Sequence, residues 1–322
     1  MEKSQTILAA DRLDPEALEG LRRMGFRVVE SKGLGGAKPS DAASAGILIV
    51  RSTPVPAAAL PAFPSLQLII RAGAGVDTID LGAAAARGIQ VSNTPGRNAD
   101  AVAEMAMALL LAADRNLVEA TRTLREGHWM KGVLGQGRGL MGRTLGIAGL
   151  GAVGRAMATK AKGMGMLVLG WSPSLTPEAA RRSGYSFAAN LTDLARDSDA
   201  VSVHVASLPE TRNLFGAGFF AAMRPGGLFV NTARGEVVHR AALVDAIRSK
   251  GIRAGLDVFA GEPKTPEADF ADTELASLCV CAPHLGASTD QAAEAVAAEV
   301  VRIAQVFRDT GAAPNAVSPT RN

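Results

Sequence analysis

The sequence predicts an α/β protein of two doubly wound parallel-sheet domains with a cleft between them. Three observations carry that expectation. Short apolar strand segments alternate with helical segments along almost the whole chain, as in parallel sheets covered by helices on both faces. At 322 residues the chain exceeds what one compact core usually holds, so two domains are expected. Alanine and glycine are abundant while aromatics make up 4%, which suits helices packed closely on sheets better than an all-β sandwich.

In the first third, Thr6–Ala10, Phe26–Glu30, Gly46–Arg51, Leu66–Arg71 and Ile89–Ser92 read as short buried strands. Pro15–Met24 and Asp80–Arg87 read as helices between them. One helix is then expected from Asn98, a suitable N-cap, to Glu126, with Gly127 ending it. Its first half is apolar nearly all round, which predicts burial between the domains.

A second α/β unit starts at the strand Thr144–Ala148, followed by a glycine turn and a helix over Val153–Lys162. Further strands are expected at Met166–Gly170, Ala200–Val205, Leu228–Asn231, Ala254–Val258 and Cys279–Ala282. Helices are expected at Pro177–Ser183, Leu191–Arg196, Ala217–Met223 and Arg240–Ser249. The last helix, Asp290–Asp309, should pack back on the first domain, so residues 1–97 and 288–322 form one domain and 98–287 the other. Residues 311–322 read as a loose end.

Bulk properties exclude several classes. The 34 basic and 31 acidic residues are spread along the chain without a basic run, which disfavours nucleic acid as a partner. No apolar run is long enough for a membrane span, and MEKSQTILAADRLD lacks the apolar core of a leader, so a cytoplasmic protein is expected. Cys279 and Cys281 lie along an expected buried strand and read as core thiols. No second Cys or His pair stands at ligand spacing, so no metal is expected.

Gly149-Leu150-Gly151-Ala152-Val153-Gly154 satisfies G-x-G-x-x-G directly between a strand and a helix. The first glycine permits the tight turn and the second lets backbone approach a pyrophosphate. The third lets the helix pack close to the strand, and the helix N-terminus offers N–H groups to the phosphates. This marks the second domain as Rossmann-like and its cofactor as a dinucleotide. An acid at the end of the next strand normally holds the ribose 2′-hydroxyl. Here Trp171-Ser172-Pro173-Ser174 puts Ser172 at that place, so NAD and NADP both stay open.

Arg234, Glu262 and His284 lie in the segments NTARGEVV, GLDVFAGEP and CAPHLGAST, each following a strand on the edge that carries the glycine turn. Oxidising a 2-hydroxy acid needs a cation for the carboxylate and a base for the hydroxyl proton. The planar fork of arginine suits the first and histidine the second. A carboxylate on the other ring nitrogen fixes the tautomer and favours the imidazolium. Singly, each residue also reads as structural: a helix-capping arginine, a loop carboxylate, a packed histidine. The remaining histidines carry less, with His128 and His239 reading as solvent-facing and His204 as packing.

With RAGAGVDTIDL added, these motifs resemble the D-2-hydroxyacid dehydrogenase family from about Ile47 to Val300, most closely its phosphoglycerate dehydrogenase branch in a short form without a regulatory domain. The resemblance implies two Rossmann-like domains, the first flavodoxin-like and substrate-binding. It assigns Arg234 to substrate binding, Glu262 to the histidine partner and His284 to general acid/base. Thr232, Ala233 and Asp257 match cofactor-contacting positions. Arg51, Ser52 and Arg71 match substrate-contacting positions, and Ala72, Gly73, Ala74 and Gly75 are small enough to bring backbone N–H groups to a substrate carboxylate. It further implies a homodimer and a 3-phosphoglycerate-like substrate. A glyoxylate or hydroxypyruvate reductase using NADPH is the alternative, and a dinucleotide-sensing corepressor a remote one.

Overall fold

A computed structural model describes residues 5–263 and 267–317. The chain divides into two compact units, Met1–Asn98 with Ser288–Asn322, and Ala99–Ala287.

Unit 1 holds a parallel five-stranded sheet of β1 (Thr6–Ala9), β2 (Arg27–Glu30), β3 (Ala45–Val50), β4 (Leu68–Arg71) and β5 (Gln90–Asn93), in the order β2-β1-β3-β4-β5. That is the flavodoxin-like doubly wound order. The central strand β3 is buried at every position because both sheet faces are covered. Its alternate residues serve different cores. Leu48 and Val50 pack with Leu8, Phe63 and Ile69. Ile47 and Ile49 pack with Leu21, Ile303 and Phe307, so the helix Asp290–Thr310 covers the second face.

The expectation of a loose C-terminal tail is corrected up to residue 317. The Val317 amide donates to the Val91 carbonyl (2.7 Å), Ala313 donates to Gln90 Oε1 (2.8 Å), and Ala316 bridges Ser92 in antiparallel sense. The physical reason is that β5 is an edge strand whose unpaired groups need partners, and the tail supplies them. Residues 318–322 lie outside the described residues.

Glu299, 3% exposed, knots this end of the unit. Its carboxylate accepts from Arg302 (2.6 Å), Arg97 (2.7 Å) and Asn315 (2.8 Å). The Arg302 hydrogen bond, opposed by burial and reinforced by Asn315 and Arg97, holds its pKa down to about 2, from 4.5. A depressed folded-state pKa gives stability that is present above pH 4.5 and lost as pH falls from there towards 2. Glu299→Gln is therefore expected to cost about 1–3 kcal/mol at pH 7 and less at pH 3. Urea unfolding at both pH values checks this; an equal cost at the two would sink it.

Unit 2 holds a parallel seven-stranded sheet of β6 (Thr144–Ala148), β7 (Leu167–Trp171), β8 (Ser186–Phe187), β9 (Ala200–Val203), β10 (Leu228–Asn231), β11 (Arg253–Leu256) and β12 (Val280–Cys281). The order is β12-β11-β10-β9-β6-β7-β8, which reverses direction at β6. One face packs Leu145, Ile147 and Val230 against Ala106, Leu110 and Met157. The other packs Val201, Phe229 and Leu256 against a phenylalanine cluster, where Phe215 and Phe219 meet edge to face at 4.9 Å.

Two expectations are corrected here. The single helix over Asn98–Glu126 is two helices, Ala99–Asp114 and Leu117–Arg125, broken at Asn116. Asn116 adopts a left-handed φ of 51°, which asparagine tolerates, and its side-chain amide donates to the Leu134 carbonyl (3.0 Å). The buried face of the first helix belongs to the core of unit 2: its closeness to β11 depends on Gly255, where a Cβ would lie 2.9 Å from Leu109 Cβ. The two cysteines are free, but not core thiols. Cys279 is half-buried and Cys281 exposed, because β12 is a two-residue strand on the sheet edge. Burial pushes the Cys279 thiol up to about 12.

Among the described residues, no cluster of His, Cys, Asp and Glu could hold a metal ion, and no helix is long and apolar enough to cross a membrane.

Candidate active site

Every strand of unit 2 runs in one direction, so all the carboxyl ends share one edge of the sheet. The glycine turn leaves β6 there, Ser172 leaves β7, Thr232–Arg234 leave β10, Asp257 leaves β11 and His284 follows β12. Open α/β sheets bind ligands outside this edge, at the point where strand order reverses.

The three glycines of the turn differ in what surrounds them. At Gly149, with φ of 97°, a Cβ would lie 2.6 Å from the His204 carbonyl oxygen, so the turn is pressed against the end of β9. At Gly154 a Cβ would lie 1.9 Å from the Gly149 oxygen, which is the close contact of helix and turn. At Gly151 nothing lies within 4 Å. Two positions are closed by backbone and the middle one is open, as a dinucleotide pyrophosphate requires. Gly151 also caps the helix Ala152–Gly163 without any side-chain bond, so the first-turn amides of Ala152, Val153 and Gly154 are presented to an anion. These residues fit the dinucleotide. Ser172, half-buried, turns the chain after β7 by accepting from the Leu175 amide (3.0 Å).

His284 Nδ1 lies 2.6 Å from Glu262 Oε1. Burial works to raise the Glu262 pKa. The hydrogen bond and charge of His284, the Phe259 amide and the charge of Arg234 outweigh it and hold the carboxyl below its ordinary range. An ionised Glu262 only accepts, so Nδ1 carries the proton and Nε2 is the nitrogen left for chemistry. The His284 side chain is 46% exposed, which leaves that nitrogen accessible.

The backbone holds this histidine in an unusual conformation. His284 has φ of 55°, and its amide donates to the Asp257 carbonyl (2.8 Å). Asp257 is 1% exposed, and its two carboxylate oxygens accept from the Leu285 (2.7 Å) and Gly286 (2.8 Å) amides. Burial raises its pKa, against those two amide bonds. The task that geometry gives Asp257 is to hold the turn carrying His284.

Arg234 stands at the start of a short 3-10 turn, Gly235–Val237, and donates through Nη1 to the Ala233 carbonyl (2.7 Å). Three residues that sequence reasoning passed over set its place. Asn231 is buried, accepts from the Ala233 amide (2.9 Å) and donates to the Arg234 carbonyl (2.8 Å), shaping the turn from inside. At Gly235 a Cβ would lie 2.0 Å from the Phe259 carbonyl carbon and 2.1 Å from the Ala260 nitrogen, so the Arg234 turn and the Glu262 loop touch backbone to backbone. Phe259 anchors that loop, packed edge to face on Phe270 at 4.8 Å, and its amide reaches Glu262 Oε2 (3.4 Å). The signal for Gly235 was present, a glycine directly after the arginine, but its reason is tertiary.

The other histidines stay outside this arrangement. His128 is exposed, and His239 caps the helix Arg240–Lys250 by accepting from the Ala242 amide (3.2 Å). His204 bonds Ser202 Oγ through Nε2 (2.8 Å), and enclosure of its ring pushes its pKa down to about 3.

In unit 1, Arg51 and Ser52 are exposed just beyond β3. The Asp11 carboxylate accepts from the amides of Arg51 (2.6 Å), Ser52 (3.1 Å) and Thr53 (3.0 Å), so these amides hold the loop and only the side chains are offered outward. Beyond β4, the Arg71 guanidinium lies where a Gly73 side chain would start. The Ala72 amide donates to the Val50 carbonyl and that of Gly73 to the Arg71 carbonyl, both at 2.8 Å. Asn93 bonds the Ala74 carbonyl (2.6 Å), so anion recognition by backbone narrows to the amides of Ala74 and Gly75.

Known proteins resemble this chain in sequence and fold. A profile of the D-isomer-specific 2-hydroxyacid dehydrogenase NAD-binding domain matches residues 107–286. The D-3-phosphoglycerate dehydrogenase of Mycobacterium bovis is 38% identical over 319 residues, covering 97% of this chain; the chain spans only 58% of that protein's length. A hydroxypyruvate reductase of Thermotoga maritima is 40% identical over 267 residues, covering 82% of this chain and 85% of its own. Among solved structures, the NADPH-dependent glyoxylate/hydroxypyruvate reductase of Sinorhizobium meliloti, in complex with NADP and malonate, superposes with a TM-score of 0.81 at 30% identity. That superposition covers 98% of this chain and 97% of the reductase.

Proposed function

The chain belongs to the D-isomer-specific 2-hydroxyacid dehydrogenase family, and from that premise we propose that it moves a hydride between C2 of a D-2-hydroxy acid and an NAD(P) nicotinamide. The observation that carries this reading is the 2.6 Å His284–Glu262 pair on the sheet edge that holds the open glycine turn and Arg234. The bound dinucleotide supplies the hydride chemistry. His284 Nε2 takes the hydroxyl proton in oxidation and returns it in reduction, and Glu262 balances the imidazolium charge in between. Arg234 grips the substrate carboxylate with its fork. Gly149–Gly154 cradle the pyrophosphate, Ser172, Thr232 and Ala233 line the remainder of the cofactor site, and Asp257 supports it by holding the turn that carries His284.

For the substrate we favour a phosphorylated acid of the 3-phosphoglycerate type. The support is the cationic side chains Arg51 and Arg71 with Ser52 at strand ends of unit 1, and the amides of Ala74 and Gly75. A glyoxylate or hydroxypyruvate reductase using NADPH is the second reading, favoured by Ser172, which carries no charge to repel a 2′-phosphate. Reductase assays pairing NADH or NADPH with phosphohydroxypyruvate or hydroxypyruvate separate them. Preference for the phosphorylated acid is expected, and preference for the unphosphorylated one with NADPH would overturn it. A corepressor role is opposed by the intact acid/base pair, and activity with any of the four pairings rejects it.

The protein is further proposed to act in the cytoplasm, where two free thiols suit a reducing compartment, and as a homodimer. The support is that Leu117, Val118, Leu124, Val133 and Met141 are all exposed within one stretch of unit 2, as is Trp129 at 78%, apolar side chains that a second copy would cover. Light scattering should give about twice 33.1 kDa, and Leu124→Asp with Trp129→Asp should halve that mass. A wild-type mass of one chain refutes the dimer.

A further inference from the structure

Arg155 follows the last glycine of the turn and is assigned no task by the motif. It lies in the first turn of the helix Ala152–Gly163, three residues after Ala152 and four after Gly151. Side chains at that spacing share a helix face and lean back over the preceding turn. The structure follows this rule: Arg155 Nη1 donates to the Leu150 carbonyl (2.7 Å), which fixes the guanidinium over the glycine turn beside the open Gly151 position.

Charge makes the placement informative. A helix N-terminus is the positive end of the macrodipole and disfavours a cation. Here the first turn carries no acid, and among the described residues Arg155 forms no ion pair. Its guanidinium has five N–H donors, of which the Leu150 carbonyl engages one group. An anchored, un-neutralised cation thus sits at a cradle shaped for an anion.

We propose that Arg155 is a pyrophosphate ligand of the dinucleotide site, adding a charged fork to the backbone amides of the turn. The proposal rests on the dinucleotide reading above, and deepens it by naming the side chain that recognises the phosphates. Its rival is a plain structural prop for the Leu150 carbonyl.

Calorimetric titration of the wild type and of Arg155→Ala with ADP-ribose, 2′-phospho-ADP-ribose and adenosine separates the two. Loss of a charge-assisted bond should weaken ADP-ribose about tenfold or more and leave adenosine, which has no phosphate, unchanged. The 2′-phospho compound should weaken by the same factor as ADP-ribose. Arg155→Lys should recover part of the loss through its charge, and Arg155→Gln should not. Equal ADP-ribose affinity in wild type and Arg155→Ala overturns the proposal. So does weakening of adenosine in the same proportion, or weakening confined to the 2′-phospho compound. A wild-type chain that binds no ADP-ribose refutes the dinucleotide reading itself, and Arg155's role with it.

Discussion

Replacing His284 with alanine is expected to lower kcat by about 10²–10⁴-fold while leaving dinucleotide affinity intact. The asymmetry follows from geometry. His284 Nδ1 is committed to Glu262 at 2.6 Å, so the ring can do one thing only, exchange a proton at Nε2. The glycine turn is built from β6 and the helix after it, with no contribution from residue 284. Steady-state kinetics beside a dinucleotide titration measures both arms. A variant with wild-type turnover would remove the acid/base assignment, whereas a variant that lost the dinucleotide would place His284 in cofactor binding instead.

Gly235→Ala should be nearly as damaging without deleting any functional group. The added methyl would fall 2.0 Å from the Phe259 carbonyl carbon and 2.1 Å from the Ala260 nitrogen, far inside van der Waals contact. Backbone must yield, at a cost of about 1–3 kcal/mol or more. The segment that yields carries Arg234 on one side or Glu262 on the other. A displacement on the order of 1 Å at such groups costs about 10²-fold in rate. Kinetics and thermal unfolding should therefore show kcat/KM down by roughly that factor with a lowered Tm. Wild-type values for both would mean that the contact between the two loops is irrelevant to catalysis.

The two experiments touch residues of opposite legibility. The placement of His284, Glu262 and Arg234 on one edge was readable because each follows a strand and parallel strands bring their carboxyl ends together. The alternation of strands and helices was readable for a local reason. Gly235, Asn231 and Phe259 were not, since what they do is decided by a neighbour distant in sequence. The break at Asn116 escaped for a related reason: Ala99–Arg125 is helix-compatible throughout, and one side chain bonding Leu134 overrides that propensity. Cys281 lost its expected burial to a fact about sheet order, that β12 is an edge. The C-terminal tail read as loose because polar, proline-containing ends commonly are; up to residue 317 an exposed sheet edge gives it partners.

The interleaving of the two units has a consequence for how the chain is made. The five strands of unit 1 are synthesised first, but the helix that covers one face of their sheet lies at Asp290–Thr310, and the edge of β5 is paired only by residues that come later still. Unit 2 is continuous in sequence and complete before either arrives. During synthesis, where domains fold as units, the unit that begins first is thus the last to close. Until then Ile47, Ile49, Leu68 and Ile70 are covered only in part, by Leu21 and Phe26, and the remainder of that apolar face is open to aggregation.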